Sequence, residues 1–118
     1  MKLYQYPNCS TCRKAIKYLQ DQGVEFDSID ITAQPPTQAE LKAMLRCYDG
    51  EIRKLFNTSG LQYRELGMKD KLPDMSKAEA IKLLAGNGKL IKRPFIITKS
   101  KIGLVGFKPE QWQSLLTD

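Results

Sequence analysis

The chain has 118 residues, 42% hydrophobic and 27% charged, a balance that suits one soluble domain with a core that needs no disulfide staples. No apolar run reaches membrane-spanning length and no signal-peptide h-region opens the chain, so the expected address is cytoplasmic. The formal charge of +6 is diffuse except from Lys89 to Lys108, where Lys89, Lys92, Arg93, Lys99, Lys101 and Lys108 stand without an acid; this reads as an ordinary solvated surface or a nucleic-acid patch, though no nucleic-acid-reading motif accompanies it.

The elements follow in chain order. Residues 1–6 alternate in strand fashion around "KLYQY" and predict a first strand. A helix is expected from Ser10 to about Gln22, with Cys12, Ala15, Ile16 and Leu19 on one apolar stripe and Gly23 as its stop. "VEFDSIDI", residues 24–31, predicts a second strand, ended by "TAQPP". Thr37 with Glu40 forms a capping box for a helix carrying Leu41, Met44, Leu45 and Tyr48, in which Cys47 reads as a packing residue. "EIRKLFN" and "LQYREL" predict two short helices on either side of "TSG". Ser76 with Glu79 caps another helix, which runs through Ile81, Leu83 and Leu84 to "GNG". "PFIIT" and "IGLVGF", separated by "KSK", predict a hairpin, and Pro109 opens a last helix with Trp112, Leu115 and Leu116. The class is α/β with a mixed four-stranded sheet.

The chemistry concentrates in "YPNCSTCRKA". Cys9 falls where the first strand ends and the helix begins, beside unpaired backbone N–H groups and the cations Arg13 and Lys14. An ordinary thiol is only about 3% thiolate at pH 7, and a pKa two units lower makes it roughly three-quarters thiolate. Cys12 lies one turn on. Cβ atoms at that spacing are ~5–6 Å apart against about 3.8 Å in a disulfide, a gap that the frayed start of a helix can close. Cys9 then reads as the attacking sulfur and Cys12 as the sheltered resolving thiol. The alternatives are two packing residues or half of a metal site; the chain has no histidine and only Cys47 as a further thiol, so no metal site is expected. The absence of histidine also excludes Ser-His-Asp and Cys-His nucleophile pairs. An anion attacked by Cys9 would find the N–H groups of Ser10, Thr11 and Cys12 as candidate partners.

Over nearly its whole length the sequence resembles the ArsC/Spx family, through "YPNCSTCRKA", "IRKLFNTSG", "YRELGMKDKL", "LIKRPFII" and "VGFKPEQW". That family comprises glutaredoxin-linked arsenate reductases, Spx-type redox regulators of RNA polymerase, and many uncharacterised relatives with C-x-x-C. The resemblance implies a thioredoxin-like (ArsC-like) fold: a core of about residues 1–34 and 88–118, and an all-helical insertion of about residues 35–87. It implies Cys9 as nucleophile, Arg53 and Arg93 as oxyanion-gripping residues, and a cis Pro94 facing the cysteine. Lys108 stands where the arsenate reductases carry a third arginine, and Cys12 where they usually carry serine. Lysine keeps the charge and loses the planar fork. The function expected from the resemblance is a thiol oxidoreductase with no bound cofactor, acting on a small oxyanion or disulfide. Glutathione, glutaredoxin or thioredoxin would serve as its reductant. The alternative is a Spx-like regulator that binds RNA polymerase through a Cys9–Cys12 switch.

Overall fold

Leu3 and Tyr4 are adjacent in a strand, so their side chains leave on opposite faces, and both are buried. A strand covered on both faces needs two layers of helix, and this fixes the architecture. The computed structural model describes residues 1–98 and 103–117, with side chains through residue 114. In order, these form β1 (Lys2–Gln5), α1 (Ser10–Asp21), β2 (Asp27–Asp30), α2 (Gln38–Cys47), α3 (Leu61–Glu65), α4 (Met68–Lys71), α5 (Lys77–Ala85), β3 (Phe95–Ile97), β4 (Gly103–Val105) and α6 (Pro109–Thr117). Short 3-10 turns occupy Ile52–Leu55, Leu72–Asp74 and Gly88–Leu90.

The strand order is β2-β1-β3-β4, with β1 parallel to β2 and antiparallel to β3, and β3 antiparallel to β4. This is the mixed four-stranded sheet of an α/β thioredoxin-like fold. On one face Leu3 and Ile96 pack with Ala15 and Leu19 of α1 and with Trp112 of α6. On the other, Tyr4, Phe95 and Val105 join Leu41 and Met44 of α2, Ile81 and Leu84 of α5, and Leu55, Phe56 and Tyr63. The helical stretch between β2 and β3 therefore shares one core with the sheet.

Both capping boxes are present. Thr37 Oγ1 accepts the Glu40 N–H at 3.1 Å while Glu40 accepts the Thr37 N–H at 3.0 Å, and Ser76 and Glu79 repeat the exchange at 3.1 and 3.4 Å. Glu40 Oε1 also accepts the Tyr4 hydroxyl at 2.7 Å, which pins the start of α2 to the central strand.

Three expectations change. The second strand is shorter than residues 24–31, because Asp27 already pairs with Lys2 at the head of β1 and earlier residues have no neighbour to meet; Val24 and Phe26 pack into the α1–α6 core instead. Cys47 is exposed, not packed: the stripe through Leu41, Met44, Leu45 and Tyr48 leaves position 47 roughly 100° away around the helix. After "LQYREL" the chain reverses at Gly67 (φ 65°) and makes the extra turn α4, which buries Met68. The "KSK" turn, Ile102 and the packing of Leu115 and Leu116 lie outside the described residues. None of the helices among the described residues is long and apolar enough to cross a membrane.

One close approach shapes the path to the site. A Cβ on Gly88 would collide with the backbone carbonyl of Ile31, so only glycine lets the 3-10 turn at Gly88–Leu90 lie against the end of β2. The next residues then bridge back: Phe56 pairs with Ile91, Asn57 N–H reaches Leu90 O at 2.8 Å, and Lys92 N–H reaches Leu55 O at 2.9 Å. That bridge sets the segment bearing Arg53 beside the segment bearing Arg93.

Candidate active site

Cys9 is the N-cap of α1, in an extended conformation (φ −96°, ψ 115°), and its Sγ accepts the Cys12 N–H at 3.4 Å. Ser, Thr, Asp or Asn usually fill that position, because an oxygen there satisfies one orphan donor of the first turn. Here sulfur does so. The acceptor is better as a thiolate, and the helix start favours the negative charge. The loop is clipped on both sides: Cys9 N–H donates to Tyr6 O at 3.0 Å, and Arg13 Nη1 donates to Pro7 O at 2.9 Å.

Burial is the largest influence on the Cys9 thiol and pushes its pKa up. Hydrogen bonds from the Cys12 side chain and backbone, with the charge and hydrogen bonding of Arg93, outweigh burial and hold it below the ordinary thiol value. Cys12 is fully buried, and burial, reinforced by the Cys9 sulfur, pushes its thiol up to about 12. The two sulfurs thus divide the roles: Cys9 takes the charge and Cys12 keeps the proton.

Cys9 opens onto a cleft of about 700 Å³. Its wall includes Thr11, Arg53, Arg93 and Lys108, together with Lys54 and Lys92. Among the described lining residues Glu51 is the one acid, and it pairs with Lys54 at 3.2 Å. The Arg93–Pro94 peptide is cis, and Pro94 is buried with its carbonyl accepting the Gly106 N–H at 2.9 Å. The Trp112 indole donates to Gly106 O at 3.1 Å, and Phe107 stands edge-on to Trp112 with centroids 5.0 Å apart, which fastens the far wall to α6.

Two candidates lie elsewhere. Ser10 is exposed and does not line the cleft, and the Arg13 guanidinium is turned back onto the Pro7 carbonyl. The Cys12 N–H is spent on Cys9 Sγ, which leaves Ser10 and Thr11 as the open donors of the first turn. Sequence reasoning assigned no role to Tyr48, Lys54, Lys92, Gln111 or the Asn57–Ser59 loop, all of which line the cleft. "LFNTSG" stood out in the sequence, but nothing in it tells which way the loop faces. Among the described residues no cluster of three or more Cys, Asp or Glu has metal-holding geometry.

The ArsC family model matches residues 4–115. The chain belongs to the ArsC family. It is 47% identical over 113 residues to the uncharacterized protein YusI of Bacillus subtilis (strain 168), covering 96% of this chain and 95% of that one. The regulatory protein MgsR of the same organism is 28% identical over 109 residues, covering 92% and 84%. Among solved structures, an ArsC family related protein from Bacteroides fragilis superposes with a TM-score of 0.89 at 47% identity, covering 97% and 95%. A possible arsenate reductase from Streptococcus mutans UA159 does so at 0.87 and 43%, covering 95% and 96%. Both the C-x-x-C pair and the Arg93–Pro94 step lie within the matched residues of this ArsC chain.

Proposed function

We propose that this ArsC-family chain is a thiol oxidoreductase in which Cys9 is the nucleophile and Cys12 the resolving thiol, acting on an anionic oxyanion or disulfide. The observation that carries this reading is the Cys9 sulfur itself: it caps a helix, accepts the Cys12 N–H at 3.4 Å and faces a cleft whose described wall carries Arg53, Lys54, Lys92, Arg93 and Lys108 against Glu51. With a disulfide substrate, the Cys9 thiolate attacks one sulfur, a mixed disulfide forms, and the other sulfur leaves as a thiolate. The Cys9 charge is then gone, so part of what held the proton on Cys12 goes with it. Cys12 loses its proton to solvent and attacks Cys9 Sγ, the second substrate thiolate departs, and a Cys9–Cys12 disulfide remains. With arsenate, a sulfur–arsenic adduct forms with loss of water. Attack by Cys12 on Cys9 then passes the S–As electron pair to arsenic, giving As(III). Two external thiol groups (two glutathiones, or the dithiol of glutaredoxin or thioredoxin) return two electrons to the pair and end as a disulfide themselves.

The test is turnover of arsenate, and of a small anionic disulfide, with each reductant system. Activity lost in Cys9→Ser supports the assignment; activity that survives in Cys9→Ser ends it. A second reading is favoured by the similarity to MgsR: a regulator that binds RNA polymerase and uses Cys9–Cys12 as its switch. It predicts retention on immobilised RNA polymerase that differs between reduced and oxidised protein, and no retention in either state rejects it.

A further inference from the structure

Arg93 acts on Cys9 only if its guanidinium stays near the sulfur. An arginine side chain has much rotamer entropy to lose, and this one stands at an open cleft. A carboxylate is the usual anchor. Among the described residues no carboxylate pairs with Arg93; the ion pairs there are Lys2–Glu40, Lys17–Asp21 and Lys54–Glu51. What lies against the guanidinium is an aromatic face: its carbon sits 4.9 Å from the centroid of the Tyr6 ring.

Tyr6 is well placed for that task. Its carbonyl accepts the Cys9 N–H at 3.0 Å, and its backbone lies near enough to the Cys12 thiol to oppose the effect of burial on it. Its ring is half-buried against the core that contains Phe56 and Phe95. One residue therefore stands beside both cysteines with its main chain and against the cleft arginine with its side chain. A ring on a fixed main chain is a rigid platform, with two side-chain torsions against the four of an arginine.

We infer that Tyr6 is a positioning residue, whose ring face holds the Arg93 guanidinium beside the Cys9 sulfur in place of a carboxylate. The inference rests on the reading of Cys9 as the nucleophile. A neutral platform has a consequence that a carboxylate would not: it orients the cation without cancelling its charge, so the full positive field remains for the thiolate and for an arriving anion. A carboxylate in the same place would repel both.

The experiment measures site-resolved alkylation of Cys9 by iodoacetamide against pH in the full chain, followed by mass spectrometry. Tyr6→Leu removes the ring face and should slow Cys9 alkylation at pH 6.5 roughly two- to fivefold. Tyr6→Phe keeps the ring and should match the wild type. In an Arg93→Gln background, Tyr6→Leu should add no further slowing, a coupling that general loosening of the loop would not produce. Full slowing by Tyr6→Phe, no slowing by Tyr6→Leu, or undiminished slowing in the Arg93→Gln background each overturns the inference. If circular dichroism shows Tyr6→Leu unfolded, Tyr6→Trp decides: the larger ring should hold or raise the wild-type rate, and a fall to the Arg93→Gln rate overturns the role. A wild-type midpoint no lower than that of a free peptide thiol removes the nucleophile reading itself and this inference with it, whereas a low wild-type midpoint with no response to Tyr6 removes the inference alone.

Discussion

Tyr48 Oη accepts the N–H of Val105 at 3.0 Å and lies 3.5 Å from the same residue's carbonyl oxygen. Val105 belongs to β4, the last strand of the sheet, whose outer edge would otherwise present unpaired backbone groups. A phenol on the C-cap of α2 thus does for one residue what another strand would do. Tyr48→Phe keeps the ring and strips that pairing, so unfolding free energy should fall by about 1–2 kcal/mol. Urea titration should show a lower midpoint at an unchanged slope; no change in midpoint would mean that water replaces the hydroxyl without penalty.

Removing Cys12 separates attack from resolution. Cys12→Ala should still form a mixed disulfide at Cys9, but the adduct should persist because no neighbouring thiol releases it. Wild-type protein under mild oxidation should lose two hydrogens in mass, and Cys12→Ala should not. The variant keeps the backbone N–H at position 12 but lacks the thiol that also donates to the Cys9 sulfur, so its alkylation midpoint should rise relative to wild type. An oxidised mass shift retained in Cys12→Ala would place the disulfide on Cys47.

The charge of the cleft should be readable in kinetics. Among the described residues of the cleft, Arg53, Lys54, Lys92, Arg93 and Lys108 face Glu51 alone, so Cys9 should react faster with an anionic disulfide than its thiolate content explains. Added potassium chloride should slow reaction with dithiodipropionate and speed reaction with cystamine, which is cationic. The same salt trend for both reagents would count against steering by the cleft.

Glu40 carries an acid-sensitive contribution to stability. Burial would raise its pKa, but the Thr37 N–H, the Tyr4 hydroxyl and Lys2 together lower it. A carboxyl held below its unfolded value stabilises fully above that value, and the benefit is lost as pH falls through the folded one. Glu40→Gln should therefore cost about 1–2 kcal/mol at pH 7 and less at pH 3. Urea midpoints at the two pH values check this; an equal loss at both would assign the effect to packing.

Gly88→Ala should cost about 3 kcal/mol, since the added carbon meets the Ile31 carbonyl and backbone yields less readily than a side-chain tip. Reduced thermal stability, with reduced Cys9 reactivity as the Arg93 segment shifts, is the expected pattern. Wild-type stability in this variant would show that the turn can move away from β2.

Much of this fold was legible because local rules and the global arrangement agree. Thr37 with Glu40 and Ser76 with Glu79 mark helix starts by their own chemistry, and the stripe from Cys12 to Leu19 marks a buried face. Cys9 at the junction of strand and helix was visible for the same reason. What escaped depends on contacts across the chain. The length of β2 turns on where β1 begins, and the direction of Arg13 on a carbonyl six residues earlier, whereas the exposure of Cys47 follows from the helical stripe of α2 itself. The pairing of Tyr6 with Arg93 joins positions 87 residues apart, which no spacing rule reaches.

Gly106 uses both of its backbone groups on the cleft: its N–H holds the Pro94 carbonyl, and its own carbonyl takes the Trp112 indole. Pro94, at the head of β3, is therefore tethered through Gly106 to the buried Trp112 side chain of α6. Damage to that indole by oxidation, or its loss by mutation, would be registered at the wall of the Cys9 cleft even though nothing there had been altered.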